Sequence, residues 1–255
     1  MLLNKFKMIV TDLDGTYLHD DKTVSTYSQN IINTLRKQGY IFVIATARPV
    51  RSVISIHNLE FDAGIFHNGA VLYNKEKYIN AYSIDNPYDI VAKILREYNN
   101  CHLAVESQDI LYANFDSKKI WPETQHIYTQ KFDEIKELKA DKIIIEINSI
   151  EKMKLFEKFL PSELYIQLSE NKIAMIMNRS ASKINGIQRL ASIYNISLND
   201  IVSFGDDYND IEMLQGTGKG IAVSNALPVV KTVADEICES NNSNGVANWL
   251  AYHLI

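Results

Sequence analysis

Short apolar runs alternate with segments of helical spacing along the first part of the 255-residue chain. Runs of about four to six apolar residues are typical of buried strands, and apolar residues at i, i+3 and i+4 are typical of amphipathic helices. An alternating order of strands and helices favours a parallel sheet with right-handed crossovers. The pattern therefore predicts an α/β fold with a Rossmann-like parallel sheet. The predicted strands of this sheet are 6–10, 40–45, 63–66 and 200–204, and its predicted helices are 25–38, 50–58 and 182–194.

The pattern changes after residue 74, where shorter strands and hairpins replace the regular alternation. A stretch of about 95 residues reads as a separate α+β module, of a size that a compact domain can have. We therefore predict a core of residues 1–81 and 179–255 and an inserted α+β domain of residues 82–178. The strands predicted in this stretch are 81–84, 102–106, 110–114, 143–147, 164–169 and 172–177, the last two joined at Glu170-Asn171, and the predicted helices are 87–98 and 150–160.

Two carboxylates follow the first predicted strand. Asp12 and Asp14 are spaced i and i+2, so their side chains point to the same side of an extended chain. Open α/β sheets bind ligands at the carboxyl ends of their strands, and Gly15 allows the chain to turn sharply there. Two acids this close favour a bound cation, and oxygen ligands suit a hard ion such as Mg²⁺.

A second group of acids follows the predicted strand 200–204. Its oxygen-bearing residues are Asp206, Asp207, Asn209 and Asp210. This density of oxygen ligands is sufficient to complete a cation site together with Asp12. An acidic helix N-terminus, which the helix dipole also favours, is the alternative interpretation.

Three further residues at the ends of predicted elements carry candidate chemistry. Thr46 and Arg48 follow the strand 40–45, and a hydroxyl and a guanidinium are both suited to binding phosphate. Lys183 opens the helix 182–194, where the helix dipole disfavours a cation unless an anion lies close by. The alternatives are that Thr46 is only a good strand former and that Lys183 is an ordinary solvated lysine.

These motifs resemble, in this order, the four motifs of the haloacid dehalogenase (HAD) superfamily, and in particular of its Cof-like phosphatases. The resemblance rests on Asp12-Leu13-Asp14-Gly15-Thr16, Thr46, Lys183 and Gly205-Asp206-x-x-Asn209-Asp210, and it extends to Asn68-Gly69-Ala70, Gly220–Ala226 and Asn244–Ala247. The chain departs from the family pattern at Ile184, where a Gly is common, and at Val223, where a Met is usual.

The resemblance implies Mg²⁺-dependent hydrolysis of small phosphate monoesters through an aspartyl-phosphate. It implies that Asp12 is the nucleophile and that Asp14 is the general acid and base. It assigns the metal to Asp12, the backbone carbonyl of Asp14 and Asp206, and the phosphoryl group to Thr46, Lys183 and Asn209. Arg48, two residues beyond Thr46, is expected to reach the same phosphate or the rest of the substrate. By the same resemblance, the core has the HAD fold and the inserted domain is a large cap that closes over the site and selects the substrate.

Composition narrows the class of protein further. Lys and Arg number 26 against 31 Asp and Glu, a net charge of −5 that argues against nucleic acid as a partner. The chain has no apolar run of the length that a membrane span needs, and its first residues lack the pattern of a secretion signal. Cys101 and Cys238 form neither a metal-binding nor a redox spacing. We therefore expect a cytoplasmic protein without a membrane or nucleic-acid partner.

The substrate stays open at this point, because fold and motifs fix the chemistry of the phosphoryl group and not the leaving group. Sugar phosphates are the first expectation, and phosphorylated cofactors such as FMN or pyridoxal phosphate are the alternative. A phosphomutase on the same fold and a non-catalytic sensor of phosphorylated metabolites are the competing classes. A sensor would be expected to lack Asp12 or Asp14, and both are present. The oligomeric state is likewise undetermined by the sequence.

Overall fold

The computed structural model of the protein describes residues 6–74, 77–98, 100–122, 124–147, 149–158, 160–169 and 173–255. The chain divides into two compact units, one of Met1–Ile79 with Ser182–Ile255 and one of Asn80–Ala181. The boundaries predicted from the sequence are a core of residues 1–81 and 179–255 and an inserted domain of residues 82–178. Among the helices of the described residues, none has the length and the apolar character that a bilayer crossing needs.

The regular elements of the described residues are fourteen strands and eight α-helices. The strands are β1 (Met8–Thr11), β2 (Ile41–Ala45), β3 (Ala63–Phe66), β4 (Val71–Asn74), β5 (Lys77–Asn80), β6 (Leu103–Ser107), β7 (Ile110–Ala113), β8 (Ile127–Tyr128), β9 (Lys142–Glu146), β10 (Leu164–Ser169), β11 (Ile173–Asn178), β12 (Ile201–Gly205), β13 (Lys219–Val223) and β14 (Glu236–Cys238). The α-helices are α1 (Thr26–Lys37), α2 (Val50–Ile54), α3 (Pro87–Glu97), α4 (Ile150–Glu157), α5 (Lys183–Tyr194), α6 (Ile211–Gly216), α7 (Pro228–Val233) and α8 (Gly245–Leu254).

The first unit is built on one sheet with the strand order β14-β13-β12-β1-β2-β3-β4-β5. The strands from β14 to β3 are parallel to their neighbours, and β4 returns antiparallel to β3. Met8, Ile9 and Val10 of β1 have no exposed surface, as expected for a parallel strand that is covered on both faces. The predicted α/β core with a parallel sheet is therefore confirmed.

Strand β1 occupies the position in the sheet that brings the chemical motifs together. Thr11, its last residue, pairs with Ile44 of β2 on one side and with Phe204 of β12 on the other. The residues that follow these three strands therefore emerge at the same edge of the sheet. The chain order also reverses here, since β2 and β3 lie on one side of β1 and β12 and β13 on the other. In open α/β sheets such a switch point is where ligands bind.

The second unit is an α+β module with its own core, as the sequence predicts. Its sheet has the order β10-β11-β9-β6-β7-β8, with antiparallel pairs except between β7 and β8. Gln108 and Asp109 join β6 to β7 with φ values of 51° and 65°, the backbone that a two-residue hairpin turn requires. One face of the sheet buries a core that includes Val105, Ile143 and Ile145.

The strand predicted at 81–84 is wrong. The strand lies earlier, at β5 (Lys77–Asn80), and Ile84 makes only an isolated antiparallel bridge with Ala140. Lys77, Tyr78 and Asn80 are exposed or half-buried, because β5 is the edge strand of its sheet. An edge strand has few apolar residues, so its sequence gives a weak strand signal. The segment 81–84 that follows is more apolar and therefore attracts the strand prediction.

Two predicted helices end earlier in the structure. Helix α2 stops at Ile54 rather than at residue 58, and Asn58 has a φ of 63°, which a right-handed helix cannot continue through. Helix α4 stops at Glu157 rather than at residue 160, ahead of Pro161. The predicted hairpin of β10 with β11 is confirmed, while its turn at Glu170-Asn171 lies outside the described residues.

Substituting Gly69 by Ala should destabilise the first unit strongly. Gly69 has a φ of 110°, and a Cβ there would lie 2.3 Å from the carbonyl oxygen of Ser182, the N-cap of α5. Gly39→Ala is the matched control, because Gly39 has a φ of 96° but a Cβ added there would meet no heavy atom within 4 Å. We expect Gly39→Ala to cost about 1–2 kcal/mol from the backbone conformation alone and Gly69→Ala to cost about 1–3 kcal/mol more from the clash.

Urea denaturation of the two variants, compared with the unsubstituted chain, measures this difference. Equal shifts of the two midpoints would contradict the close packing of Gly69 against the start of α5.

Candidate active site

Asp12 begins the loop that leaves β1 at the edge of the sheet. Its backbone N–H donates to the carbonyl of Phe204 at 3.0 Å, which extends the pairing of β1 with β12 by one residue. The chain then turns at once, with the N–H groups of Tyr17 and Leu18 both donating to the carbonyl of Leu13. This turn places Asp12 directly over the end of β12, where the second group of acids begins.

Asp12, Asp206 and Asp210 form one acidic cluster. Carboxylate oxygens from these three residues all lie within 4.8 Å of one another. Asp210 is fully buried and Asp12 is 6% exposed, so the cluster is largely withdrawn from water. A Cβ on Gly15 would lie 2.5 Å from Oδ2 of Asp206. Glycine at this position therefore lets the first loop approach the acidic cluster closely.

Lys183 is the cation of this cluster. Its side chain is 1% exposed, and its ammonium donates to Oδ1 of Asp12 and to Oδ1 of Asp210, both at 2.6 Å. Burial by itself lowers the pKa of Lys183, but the Asp12 and Asp210 carboxylates raise it above its ordinary value. Lys183 is also the first residue of α5, where the helix dipole disfavours a cation. The two carboxylates compensate that unfavourable position.

The cluster carries more negative than positive charge. When all three acids are ionised, three carboxylates against one ammonium give a formal excess of two negative charges in a largely buried site. Burial raises the pKa of Asp12 well above its usual range, with Asp210 and Asp206 acting in the same direction and Lys183 opposing them. Burial likewise raises the pKa of Asp206 to about 6. Such a set of oxygens is suited to a divalent cation, whose charge would balance the excess.

Asp210 holds the loop after β12 in place. Its Oδ2 accepts hydrogen bonds from the backbone N–H groups of Asp206 and Asp207 at 2.9 and 3.0 Å, while its Oδ1 accepts from Lys183. Asp206 in turn accepts a 2.6 Å hydrogen bond on Oδ1 from the hydroxyl of Thr16. Among the described residues, Oδ2 of Asp12 and Oδ2 of Asp206 accept no hydrogen bond. These are the oxygens of the cluster that are available to an incoming ion or ligand.

Asp14 lies outside this cluster and contacts two cations. Arg48 donates from Nε to Oδ2 and from Nη2 to Oδ1, both at 2.6 Å, and Lys22 donates to Oδ1 at 2.8 Å. Burial acts to raise the pKa of Asp14, but the hydrogen bonds and charges of Arg48 and Lys22 hold it below its ordinary value. The carboxylate of Asp14 is therefore ionised and fixed between the two cations.

The remaining predicted residues lie at the same edge of the sheet with separate contacts. Thr46 follows β2, is 1% exposed, and accepts a 3.2 Å hydrogen bond on its hydroxyl from the N–H of Arg48. Asn209 donates from Nδ2 to Oδ1 of Asn68 at 3.1 Å, which ties the loop after β12 to the loop after β3. The structure thus brings Asp12 and Asp206 within 4.8 Å of each other, joins Asp12 to Lys183 and pairs Arg48 with Asp14. The hydroxyl of Thr46 binds the backbone of Arg48, whereas Asn209 binds Asn68.

Sequence reasoning missed several residues of the site. Thr16 and Asn225 both stand inside recognised motifs, and their roles as donors to Asp206 and to the carbonyl of Gly15 could have been inferred from their positions. Lys22 stands in no motif and at no helical or strand spacing. Its contact with Asp14 depends on a turn that only the structure reveals.

Comparison with known proteins gives the family. The family model for haloacid dehalogenase-like hydrolases matches residues 9–250. The chain is 27% identical over 258 residues to the 5-amino-6-(5-phospho-D-ribitylamino)uracil phosphatase YitU of Bacillus subtilis, covering 95% of this chain and 96% of that protein. It is 28% identical over 263 residues to a putative phosphatase of Haemophilus influenzae, with 95% and 96% covered.

Solved structures have the same fold. The chain superposes on TM0651 from Thermotoga maritima with a TM-score of 0.86 and 24% identity, covering 98% of each chain. It superposes on the HAD subclass IIB sugar phosphatase BT4131 with a TM-score of 0.78 and 22% identity, covering 96% of this chain and 98% of the other. The resemblance inferred from the four motifs is thereby confirmed, and the chain belongs to the haloacid dehalogenase-like hydrolases.

Proposed function

We propose that this hydrolase is a Mg²⁺-dependent phosphatase of small phosphorylated metabolites and that it works through an aspartyl-phosphate on Asp12. The observation that carries the proposal is the buried cluster of Asp12, Asp206 and Asp210 around Lys183 at the carboxyl end of β1. A formal excess of negative charge and a set of oxygen donors suit a hard divalent cation. The phosphatase names of the relatives support the same reaction class.

The residues of the cluster fit Mg²⁺. Asp12 and Asp206 each have an oxygen without a hydrogen bond among the described residues, and with the backbone carbonyl of Asp14 they would hold the ion. Asp210 would not be a direct ligand, because its oxygens already bind Lys183 and two backbone N–H groups. Bound there, the ion would supply positive charge that reduces the repulsion between the Asp12 carboxylate and the phosphoryl oxygens.

The reaction would proceed in two displacements at phosphorus. Before the first step, Asp14 takes up a proton from solvent as Arg48 turns to the phosphoryl group. An oxygen of Asp12 then bonds to phosphorus as the bond to the leaving oxygen breaks, and Asp14 passes that proton to the leaving oxygen. In the second, water attacks the aspartyl-phosphate, Asp14 accepts the proton from the water, and the bond between Asp12 and phosphorus breaks. Uncatalysed hydrolysis of phosphate monoesters is among the slowest biological reactions, so splitting it into two assisted steps matters.

Four side chains would bind the phosphoryl oxygens: Thr46, Arg48, Lys183 and Asn209. Lys183 already lies beside Asp12. From there its ammonium would offset the negative charge of both the Asp12 carboxylate and the phosphoryl group. Arg48 contacts Asp14 in the structure. A phosphoryl dianion would compete for its guanidinium. Departure of Arg48 would also remove one of the charges that keep Asp14 ionised.

Sugar phosphates are the substrate class that we propose first, and a phosphate ester of a cofactor or of its precursor is the alternative. The name of YitU, a phosphatase of a phosphoribityl-aminouracil, favours the alternative. A phosphomutase on the same site is the remaining enzymatic candidate. Release of inorganic phosphate from a panel of sugar phosphates, FMN and pyridoxal phosphate separates these possibilities, because a mutase would retain the phosphate on an organic product.

Replacing the nucleophile should abolish turnover. Asp12→Asn keeps the size of the side chain but removes the attacking anion, and we expect kcat to fall at least about a thousandfold. The assay is release of p-nitrophenol from p-nitrophenyl phosphate in the presence of Mg²⁺. Asp200→Asn is the control, because Asp200 carries the same charge in an ion pair with Lys7 on the surface. Turnover by Asp12→Asn at the rate of the control variant would rule out an Asp12 nucleophile.

Mg²⁺ should stabilise the folded chain through Asp206. Mg²⁺ at about 100 times its Kd should stabilise by about 2.7 kcal/mol, which raises Tm by roughly 5 °C for a chain of this size. Asp206→Asn should lose this increase, whereas Asp207→Asn should keep it, since Asp207 serves as the N-cap of the following turn and Asn can replace it there. Differential scanning calorimetry with Mg²⁺ and with EDTA measures the effect independently of activity.

The metal assignment would be overturned if both variants responded to Mg²⁺ as the unsubstituted chain does.

A further inference from the structure

A tight turn follows the first motif and carries Lys22. The N–H of Lys22 donates to the carbonyl of His19 at 2.9 Å, and the N–H of His19 donates to the carbonyl of Thr23 at 3.0 Å. Lys22 has a φ of 66°, a left-handed conformation that lysine adopts uncommonly. Asp21 closes the turn by accepting hydrogen bonds from the N–H and the hydroxyl of Thr23. The backbone at Lys22 is thus held in one conformation by its neighbours.

A segment near the end of the sequence anchors this turn. Asp20 accepts a hydrogen bond from Nδ2 of Asn241 at 2.9 Å and another from Nδ2 of Asn242 at 2.8 Å. The N–H of Asp20 donates back to Oδ1 of Asn242 at 3.0 Å. His19 hydrogen-bonds through Nε2 to Oδ1 of Asn244 at 2.9 Å. Residues more than 200 positions away in the sequence therefore fix the turn in place.

The anchored turn directs Lys22 to Asp14. The ammonium of Lys22 lies 2.8 Å from Oδ1 of Asp14, the oxygen that Arg48 also contacts through Nη2. Arg48 uses both Nε and Nη2 on Asp14, so it cannot bind a phosphoryl group with those atoms and keep this contact. Lys22 comes from a different loop and does not have that conflict. It can stay on Oδ1 of Asp14 while Arg48 contacts the substrate. Oδ2, the oxygen that Nε of Arg48 would leave, is then available to carry the proton.

We infer that Lys22 is a positioning residue for Asp14, which keeps the carboxyl oriented toward the leaving oxygen during turnover. This inference rests on the proposed function. A purely structural role does not explain the contact, because the side chains of Lys22 and Asp14 are 55% and 38% exposed, and ion pairs at such exposure add little to stability. Three asparagines hold the turn in which Lys22 adopts its positive φ. An ordinary surface ion pair does not need a backbone that is fixed in this way.

The inference predicts an effect that depends on the leaving group. Phenyl phosphate leaves as a basic phenolate that needs the proton of Asp14, whereas p-nitrophenyl phosphate leaves as a stabilised anion that needs it far less. In single turnovers with enzyme in excess, Lys22→Met should slow phenol release about tenfold and p-nitrophenol release no more than about twofold. Lys22→Arg should restore most of the phenol rate, because it keeps a cation at this position.

Two controls separate positioning from folding. Lys7→Met removes a surface lysine of similar exposure, 60%, that also lies 2.8 Å from its carboxylate partner, and it should leave both rates unchanged. Asn242→Ala removes two hydrogen bonds to Asp20 from an exposed residue, and it should reproduce the selective slowing of phenol release more weakly.

Equal slowing of both substrates by Lys22→Met, or no slowing of either, would overturn the role of Lys22. Failure of the unsubstituted chain to release either phenol would instead overturn the proposed phosphatase function, so the two results are distinguishable.

Discussion

The site is organised around the contact of one buried ammonium with two buried carboxylates. Lys183 lies between Asp12 and Asp210 at 2.6 Å from each, almost without exposure to water. Removing charges from water is costly unless they are paired and hydrogen-bonded. Here the one ammonium contacts two carboxylates, so its charge is balanced. The charge of the acids is not balanced, because Asp206 adds a third carboxylate to the cluster. The folded chain therefore holds an unbalanced negative charge at a fixed place, which is the physical basis for attracting a cation and, through it, a phosphoryl dianion.

The parallel sheet explains why this charge is held with so few residues. Strands β2, β1 and β12 end at the same edge, so Thr46, Asp12 and Asp206 come from three distant parts of the sequence without any long loop. Glycines at 15 and 205 allow close packing of the loops, since a Cβ at 205 would lie 2.4 Å from the Cβ of Asp210. Backbone and side chains of the loops then hydrogen-bond to one another, and the oxygens left over belong to Asp12 and Asp206.

The sequence was sufficient to predict the parts of this arrangement that depend on local pattern. Apolar strands ending in Asp12 and Asp206, read with the rule that parallel strands share a carboxyl edge, predict that these acids converge. The position of Lys183 at the start of a helix predicts a nearby anion. In the structure the anions beside it are the carboxylates of Asp12 and Asp210. The contacts of Asp14 could not be predicted, because they depend on a side chain from another strand end and on a turn at Lys22. The edge strand β5 was misplaced for a related reason, since exposure removed the periodic signal.

The long separation between the two halves of the site bears on how the protein is made. Met8 pairs with Ile201, and the second unit, which has a core of its own, is encoded entirely between them. Strand β1 is synthesised before the second unit and has no neighbour on its β12 side until residue 205 has been synthesised. Pairing between strands so far apart in the sequence is slow, and the apolar edge of β1 stays exposed until its partner is available. The intervening unit has a core of its own, whereas the acidic cluster cannot form until β12 and the loop after it have been synthesised.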